Sequence, residues 1–303
     1  MLIALLCALL LDYYFGELKQ YNPLVALRQL ANFLEARLNE ELRDEKSPQD
    51  TPQEDLEEKI PQNSINGLIA LIVCIVPVWW LSQLIIPDGF LGYLFEGVIL
   101  YVALGLNHLK VYAEQITHSL ESNNLVQARH NLSIISNQDV REMDNDEVCR
   151  LSVESILEQG NRVLLGVLFW FIITGISGVI VYTITRLLNS LWGKDTQRYH
   201  NFAFFIVKLD HWLNFIPARL SALTYALMGN WHNAIQRQLQ QGVFWETPND
   251  IILIATGTGA LDIPFKQNAQ IKNIIQAYSL LERSTIFWLV IVLMISISCW
   301  LYI

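Results

Sequence analysis

The stretch INGLIALIVCIVPVWWLSQLII, residues 65 to 86, contains no charged side chain. A transmembrane helix needs about 20 consecutive apolar residues, and this stretch has that length. Trp79 and Trp80 lie near one end, as is typical of aromatic residues at membrane surfaces. The stretch therefore predicts a membrane-spanning helix.

Blocks of similar character recur along the chain. The whole sequence is 52% hydrophobic and 16% charged, with a mean hydropathy of +0.31. The further apolar blocks cover residues 1–16, 89–108, 163–188 and 286–303. The sequence therefore predicts an all-α, polytopic membrane protein with four to six membrane segments and a helical module in the cytoplasm.

The apolar blocks and the polar stretches between them divide the chain into seven expected segments. They are an N-terminal membrane segment with a basic helix (1–37), an acidic disordered linker (38–64), a transmembrane hairpin (65–108), a cytoplasmic helical module (109–162), a membrane core (163–230), a cytoplasmic segment (231–285) and a C-terminal transmembrane anchor (286–303).

Charge is distributed unevenly along the chain. Residues 38–64 hold nine Asp or Glu against three Lys or Arg, which is typical of a solvated linker. No basic patch exists to collect phosphates, so nucleic-acid binding is disfavoured. Lys and Arg are concentrated in residues 17–64, 109–162 and 231–285, which places these parts in the cytoplasm of a multi-pass protein of the bacterial inner membrane.

The stretch 201–235 is apolar but carries several ionisable or polar side chains. A charged residue at the bilayer centre costs roughly 2.5 to 3.5 kcal/mol on insertion scales. We therefore expect these side chains to face a polar cavity or the membrane surface: Lys208, Asp210, His211, Asn214 and Arg219. Pro217 predicts a kink in the same helix.

Glu154 and Glu158 lie one helical turn apart, directly before a membrane block. They indicate either a solvated helix face or a carboxylate site at the membrane surface. We expect both, together with Arg162, to line the same polar cavity as the residues of 201–235. Neither the cysteines nor any other spacing indicates a metal site, and ATGTGALDIP, residues 255–264, is interpreted as a surface loop.

Three stretches resemble the CobD/CbiB family of cobalamin-biosynthesis proteins. They are LLDYYFGELKQYNPLVALRQLANFLEARLN (10–39), VQARHNLSIISNQDVREMDNDEVCRLSVESILE (126–158) and KLDHWLNFIPARLSALTYALMG (208–229). The family's enzymes join an aminopropanol group to a corrinoid side chain with ATP and Mg²⁺. The resemblance implies that Glu154, Glu158 and Arg219 correspond to family site residues.

Other positions depart from the family's pattern. EQGNR, residues 158–162, stands where the family has ENxSD, so Arg162 replaces an acid, and TRLLNSLW (185–192) lacks the acid of NTLDSM. LFWFIITGISG (168–178) resembles the related AmpE branch of inner-membrane proteins. The AmpE resemblance implies a largely non-catalytic sensor or regulator of β-lactamase induction or cell-wall signalling.

An AmpE-like protein of this kind would need no cofactor. Its expected partners are the lipid bilayer and either a small anionic ligand or a cell-wall enzyme. The alternative is an adenosylcobinamide-phosphate synthase, which would use ATP and Mg²⁺ for amide ligation. The lost acids favour the first interpretation, while the question of catalysis stays open.

Overall fold

The computed structural model describes residues 2–15, 23–39, 62–85, 89–104, 106–136, 138–193, 201–263 and 269–301. These residues form helices joined by short turns and contain no β-strand. The helices, in chain order, are α1 (Leu2–Phe15), α2 (Pro23–Leu38), α3 (Gln62–Ile85), α4 (Phe90–Ala103), α5 (Leu106–Glu121), α6 (Leu125–Ile135), α7 (Asn145–Gly160), α8 (Gly166–Thr174), α9 (Ile176–Trp192), α10 (Phe204–Met228), α11 (Trp231–Gln241), α12 (Asn249–Ala260) and α13 (Ile271–Leu301).

Four helical stretches within these residues are long and apolar enough to cross a membrane: Asn63–Leu84, Leu91–Glu121, Asn145–Thr174 and Ile271–Ser298. Two of them correspond to the predicted blocks 65–86 and 286–303. The predicted class, an all-α polytopic membrane protein, is confirmed. Most of the predicted acidic linker, residues 40–61, lies outside the described part of the chain.

The chain divides into two compact units. The first comprises Met1–Glu17, Asp88–Val179 and Asn214–Ile303, and the second comprises Leu18–Pro87 and Ile180–Leu213. The first unit contains α7, the C-terminal part of α10, and α11 to α13. It therefore holds five of the eight predicted site residues: Glu154, Glu158, Arg162, Asn214 and Arg219.

Helix α7 begins at a capping box. The Asp144 side chain accepts a hydrogen bond from the Glu147 backbone N–H at 2.8 Å, and the Glu147 carboxylate accepts one from the Asp144 N–H at 3.0 Å. A π-helical turn, Asn161–Leu165, joins α7 to α8 without a break. Gly175, at a φ of 67°, then ends α8 in a conformation that favours glycine. The result is one long helical segment that carries Glu154, Glu158 and Arg162.

Helix α10 continues through Pro217, which lies inside it. The prediction that Pro217 bends this helix is not tested by the helix assignment. The interpretation of residues 255–264 as a surface loop is wrong for Ala255–Ala260. These six residues form the buried C-terminal half of α12. The alternating small residues of ATGTGA suit close packing: a Cβ on Gly257 would lie 2.6 Å from a methyl of Leu157 on α7.

Candidate functional site

Arg219 is a buried cation, only 2% exposed, that is held by neutral groups. Its Nη1 donates to Oδ1 of Asn249 at 2.7 Å and to the carbonyl of Phe215 at 3.0 Å. Its Nη2 donates to the carbonyls of Trp245 and Thr247, both at 3.0 Å. The guanidinium carbon also lies 3.5 Å from the centroid of the Phe215 ring. We call this arrangement the Arg219 cradle.

The Arg219 cradle attaches the turn before α12 to α10. Three of its four acceptors, on Trp245, Thr247 and Asn249, belong to that turn or to the first residue of α12. The planar fork of an arginine can reach several acceptors at once, which a lysine cannot. Arg219 therefore has a positioning role that its burial and four hydrogen bonds explain without a ligand.

A second buried polar group connects α10 to the π-helical turn. Asn161 donates from Nδ2 to Oδ1 of Asn214 at 2.8 Å and accepts at Oδ1 from the Ser221 hydroxyl at 2.7 Å. Four residues further along α10, the Tyr225 hydroxyl donates to the Leu157 carbonyl at 2.9 Å. These bonds fix the register of α10 against the end of α7, because each buried partner would otherwise lose its hydrogen bond.

Glu154, Glu158 and Arg162 lie along α7 and the following turn, and all three are half-buried. Glu158 Oε1 and Arg162 Nε are 3.2 Å apart, so these residues form an i,i+4 ion pair. The four acceptors of Arg219 are all neutral, and Glu158 is not among them. Asn214 and Arg219 are nevertheless in the same unit as these carboxylates.

The remaining predicted site residues belong to the second unit. Asp210 is 3% exposed and accepts a hydrogen bond from Nδ2 of Asn189 at 2.7 Å. Lys208 and His211 are exposed, and the Lys208 Nζ lies 5.6 Å from the centroid of the Phe204 ring. The sequence predicted a shared polar environment that included Lys208, His211 and Arg219, but of these three only Arg219 is buried. That all eight residues line one cavity stays a prediction.

A polar cavity of about 340 Å³ lies in the first unit. Part of its lining comes from the stretch 255–264, which was predicted to be only a surface loop. It is lined by the junction of α10 and α11, the end of α12 and one face of α13. The lining residues are Met228, Gly229, Asn230, Ala260, Leu261, Asp262, Gln276, Ser279 and Arg283. We call it the Asp262 pocket.

Asp262 is held firmly at the end of α12. It has a φ of 57°, which non-glycine residues adopt rarely, although Asp and Asn tolerate it best. Asn230 Nδ2 donates to both carboxylate oxygens at 3.2 Å, and Asn233 Nδ2 donates to Oδ1. Hydrogen bonds from Asn233 and Asn230 hold the pKa of Asp262 below its ordinary value. Asp262 is therefore ionised at neutral pH.

The sequence model of the family described as CobD/Cbib protein matches residues 5–300. The chain belongs to this family. Within it, the chain is 33% identical over 262 residues to "Cobalamin biosynthesis protein CobD" of Stutzerimonas stutzeri (strain A1501), covering 86% of this chain and 80% of the relative.

Two further relatives carry the same name. The protein of Chromobacterium violaceum is 30% identical over 260 residues, covering 84% of this chain and 78% of the relative. The protein of Clostridium tetani is 25% identical over 271 residues, covering 86% of this chain and 81% of the relative. No solved structure shows significant similarity to the chain.

These relatives correct the principal functional prediction. The expected AmpE-like sensor of β-lactamase induction or cell-wall signalling is wrong, because relatives across most of the chain are named for cobalamin biosynthesis. The AmpE prediction relied too heavily on the acids missing from two short motifs, EQGNR and TRLLNSLW. The predicted membership of the CobD/CbiB family is confirmed.

Proposed function

We propose that the protein is an ATP-dependent amide synthase of cobalamin biosynthesis, of the adenosylcobinamide-phosphate synthase type. Its reaction would join the amine of an aminopropanol compound to a carboxyl group of a corrinoid. The observation that carries this proposal is the similarity to proteins named CobD, at 30 to 33% identity over 84 to 86% of the chain.

The ion pair of Arg162 removes the main argument against catalysis. A guanidinium in place of an acid would repel Mg²⁺ if its charge were uncompensated. Arg162 instead pairs with Glu158 on the same helical segment. Counted as formal charges, Glu154, Glu158 and Arg162 include two acids and one base, so the ion pair leaves the other carboxylate, that of Glu154, outside the pair.

ATP and its Mg²⁺ enter this proposal as substrate. The described residues include no group of three or more His, Cys, Asp or Glu that could hold a metal ion. Mg²⁺ in nucleotide sites is usually bound by one or two carboxylates and by the substrate's own phosphates. Glu154 and Glu158 are half-buried carboxylates one turn apart, and we propose them for that contact.

The buried polar contacts assign supporting roles to two other residues. Asn214, through Asn161, and Arg219, through its cradle, would hold α10 and the start of α12 in register beside α7. Lys208 and His211 remain candidates for contact with anionic groups of the corrinoid or nucleotide, whereas the buried Asp210 carboxylate, which would repel such groups, is a candidate for holding Asn189 in place. We propose the bacterial inner membrane as the location. The ends of the candidate spans Leu91–Glu121, Asn145–Thr174 and Ile271–Ser298 that fall in the basic stretches 109–162 and 231–285 would lie on its cytoplasmic side, where ATP is available.

Complementation tests this function in cells. In a bacterium that lacks its own CobD and needs cobalamin made from supplied cobyric acid, the intact chain should restore growth. Glu154→Gln and Glu158→Gln should each reduce growth strongly, because each removes a proposed carboxylate. Glu142→Gln, which neutralises an exposed carboxylate in the turn before α7, should grow like the unmodified chain.

The controls separate function from expression. Supplied cobalamin should restore growth of every strain, and immunoblots of the membrane fraction should show equal amounts of each variant. Absence of growth with a well-expressed, unmodified chain would contradict the proposed function. Equal growth with Glu154→Gln, Glu158→Gln and the unmodified chain would leave the function standing but remove these glutamates from its site.

A further inference from the structure

The Asp262 pocket is built from three separate helix ends or faces. Gly229 and Asn230 follow α10, Asp262 follows α12, and α13 contributes Gln276, Ser279 and Arg283. The three α13 residues are spaced i, i+3 and i+7, so they share one helix face. At about 340 Å³, the pocket is at the small end of the range for ligand sites, roughly 300 to 1,000 Å³.

Close backbone contacts fix one wall of the pocket. The Asn230 N–H donates to the Ala260 carbonyl at 2.8 Å, and a Cβ on Gly229 would lie 2.5 Å from that same oxygen. Only glycine fits at position 229 without moving the backbone. The two loops that carry Asn230 and Asp262 are therefore locked together, and the Asp262 carboxylate has a fixed position.

The pocket wall carries one anion and one cation. Asp262 accepts three hydrogen bonds from amide groups, but a carboxylate can accept about four, so its Oδ2 keeps capacity for another donor. Arg283 uses Nε for the Ser279 carbonyl at 3.3 Å, and its two Nη groups have no acceptor among the described residues. The Arg283 guanidinium and the open side of the Asp262 carboxylate, whose charge also attracts Arg237, are thus accessible to a ligand.

We propose that the Asp262 pocket binds a short aminoalkyl phosphate, with its ammonium at Asp262 and its phosphate at the α13 face. The Arg283 guanidinium, the Ser279 hydroxyl and the Gln276 amide supply several donors, which suits the several oxygens of a phosphate. The ammonium is a three-donor group, which suits the open side of a carboxylate.

Two sources supply this chemistry. One is a free amino alcohol phosphate, which would be the amine substrate of the ligation; this assignment rests on the proposed function. The other is the headgroup of an aminophospholipid, since Arg283 lies just before the uncharged stretch 286–303. The chemistry recognised is the same, and the source is decided by the probes below.

Direct binding separates the two charged contacts. Full-length protein in phosphatidylcholine nanodiscs is titrated with O-phosphoethanolamine, ethanolamine and monoethyl phosphate. We expect O-phosphoethanolamine to bind most tightly. Asp262→Asn should weaken the affinity for O-phosphoethanolamine about fivefold, to near that of the unmodified protein for monoethyl phosphate. Arg283→Gln should weaken it about fivefold, to near that of the unmodified protein for ethanolamine. A factor of this size suits ion pairs of exposed groups.

Matched substitutions on α13 control for the change in charge. Glu282→Gln removes a negative charge and Lys272→Gln removes a positive one, and both residues are exposed outside the pocket lining. Neither should change affinity for O-phosphoethanolamine. Asn at position 262 tolerates the left-handed φ, and a thermal melt checks that the Asp262→Asn and Arg283→Gln variants remain folded.

Lipid probes identify the source. Tighter binding of dihexanoylphosphatidylethanolamine than of O-phosphoethanolamine, with no binding of dihexanoylphosphatidylcholine, would assign the pocket to a lipid headgroup. The reverse order would assign it to the free compound. Equal binding of O-phosphoethanolamine, ethanolamine and monoethyl phosphate, or variants that bind like the unmodified protein, would overturn the proposal.

Activity distinguishes this proposal from the proposed function. If the unmodified protein binds O-phosphoethanolamine selectively but forms no amide, the pocket stands and the synthase function fails. If it forms the amide and neither Asp262→Asn nor Arg283→Gln raises the KM for the amine, the function stands and the pocket is not its amine site.

Discussion

The two ends of α12 use charged residues in opposite ways. At its start, Arg219 is 2% exposed, and four hydrogen bonds attach it to neutral acceptors. At its end, Asp262 is exposed and lines an open cavity beside Arg283. Both residues are fixed by asparagine side chains, Asn249 in the first case and Asn230 with Asn233 in the second.

This difference separates a structural charge from one that can bind a ligand. Burying a charge is costly unless its hydrogen bonds are made within the protein, and both Nη groups of Arg219 meet that condition, while its buried Nε has no acceptor among the described residues. An exposed carboxylate has no such need, so the amides around Asp262 set its position and leave part of it accessible. We therefore expect changes at Arg219 to affect stability first, and changes at Asp262 to affect binding first.

The largest effect is expected for Arg219→Ala. The substitution removes four hydrogen bonds, to the carbonyls of Phe215, Trp245 and Thr247 and to the Asn249 side chain, together with a large buried side chain. The free energy of unfolding should fall by at least about 3 kcal/mol. Arg219→Lys should recover only part of the loss, since an ammonium lacks the planar fork.

Thermal unfolding of the purified protein in detergent measures this effect. Arg141, whose side chain is 88% exposed, provides the control, and Arg141→Ala should leave the unfolding temperature almost unchanged. Equal unfolding temperatures for Arg219→Ala and Arg141→Ala would show that the cradle has no structural role, and the contrast between the ends of α12 would fail.

A smaller effect is expected at the pocket wall. Gly229→Ala places a methyl 2.5 Å from the Ala260 carbonyl oxygen, so the backbone must move, at a cost of about 1 to 3 kcal/mol. Gly257→Ala meets the Leu157 side chain rather than backbone, and it gains up to about 1 kcal/mol of helix propensity that offsets part of this contact. Denaturant unfolding should therefore rank Gly229→Ala as the less stable variant. The opposite ranking would mean that the wall of the pocket is not rigid.

The smallest effect concerns pH. The pKa of Asp262 is lowered in the folded protein, by the Asn233 and Asn230 hydrogen bonds above all. A lowered folded pKa gives stability that is present above the unfolded pKa, about 3.9, and lost as pH falls through the folded value. Asp262→Asn removes this contribution. The difference in unfolding temperature between the two proteins should therefore shrink as pH falls below about 4, and a constant difference would contradict the assigned hydrogen bonds.

The fold class could be predicted because its signal is local. An uncharged stretch such as 65–86 has to form a helix in a bilayer whatever the rest of the chain does. The capping box of α7 is likewise local, because its partners Asp144 and Glu147 are three residues apart. These features depend on spacing within a few turns.

The site residues depend on tertiary contacts that spacing does not contain. Lys208, His211 and Arg219 were predicted to share a polar environment because they lie in one apolar stretch. Of the three only Arg219 is buried, with the carbonyls of Trp245 and Thr247 among its acceptors. Asp262 was missed because ATGTGALDIP looks like a glycine-rich loop. The available signal was weak: Asn230 and Asn233, at the start of α11, both donate to Asp262, but partly exposed asparagines do not by themselves indicate a partner in the chain.

The most direct test of the synthase assignment is formation of the amide by the purified, full-length protein. The protein is incubated with adenosylcobyric acid, aminopropanol phosphate, ATP and Mg²⁺, and the products are identified by mass spectrometry. The CobD relative from Stutzerimonas stutzeri is assayed in parallel. We predict an amide product that requires both ATP and the amine. No product from a folded protein, under conditions in which the relative forms it, would contradict the assignment.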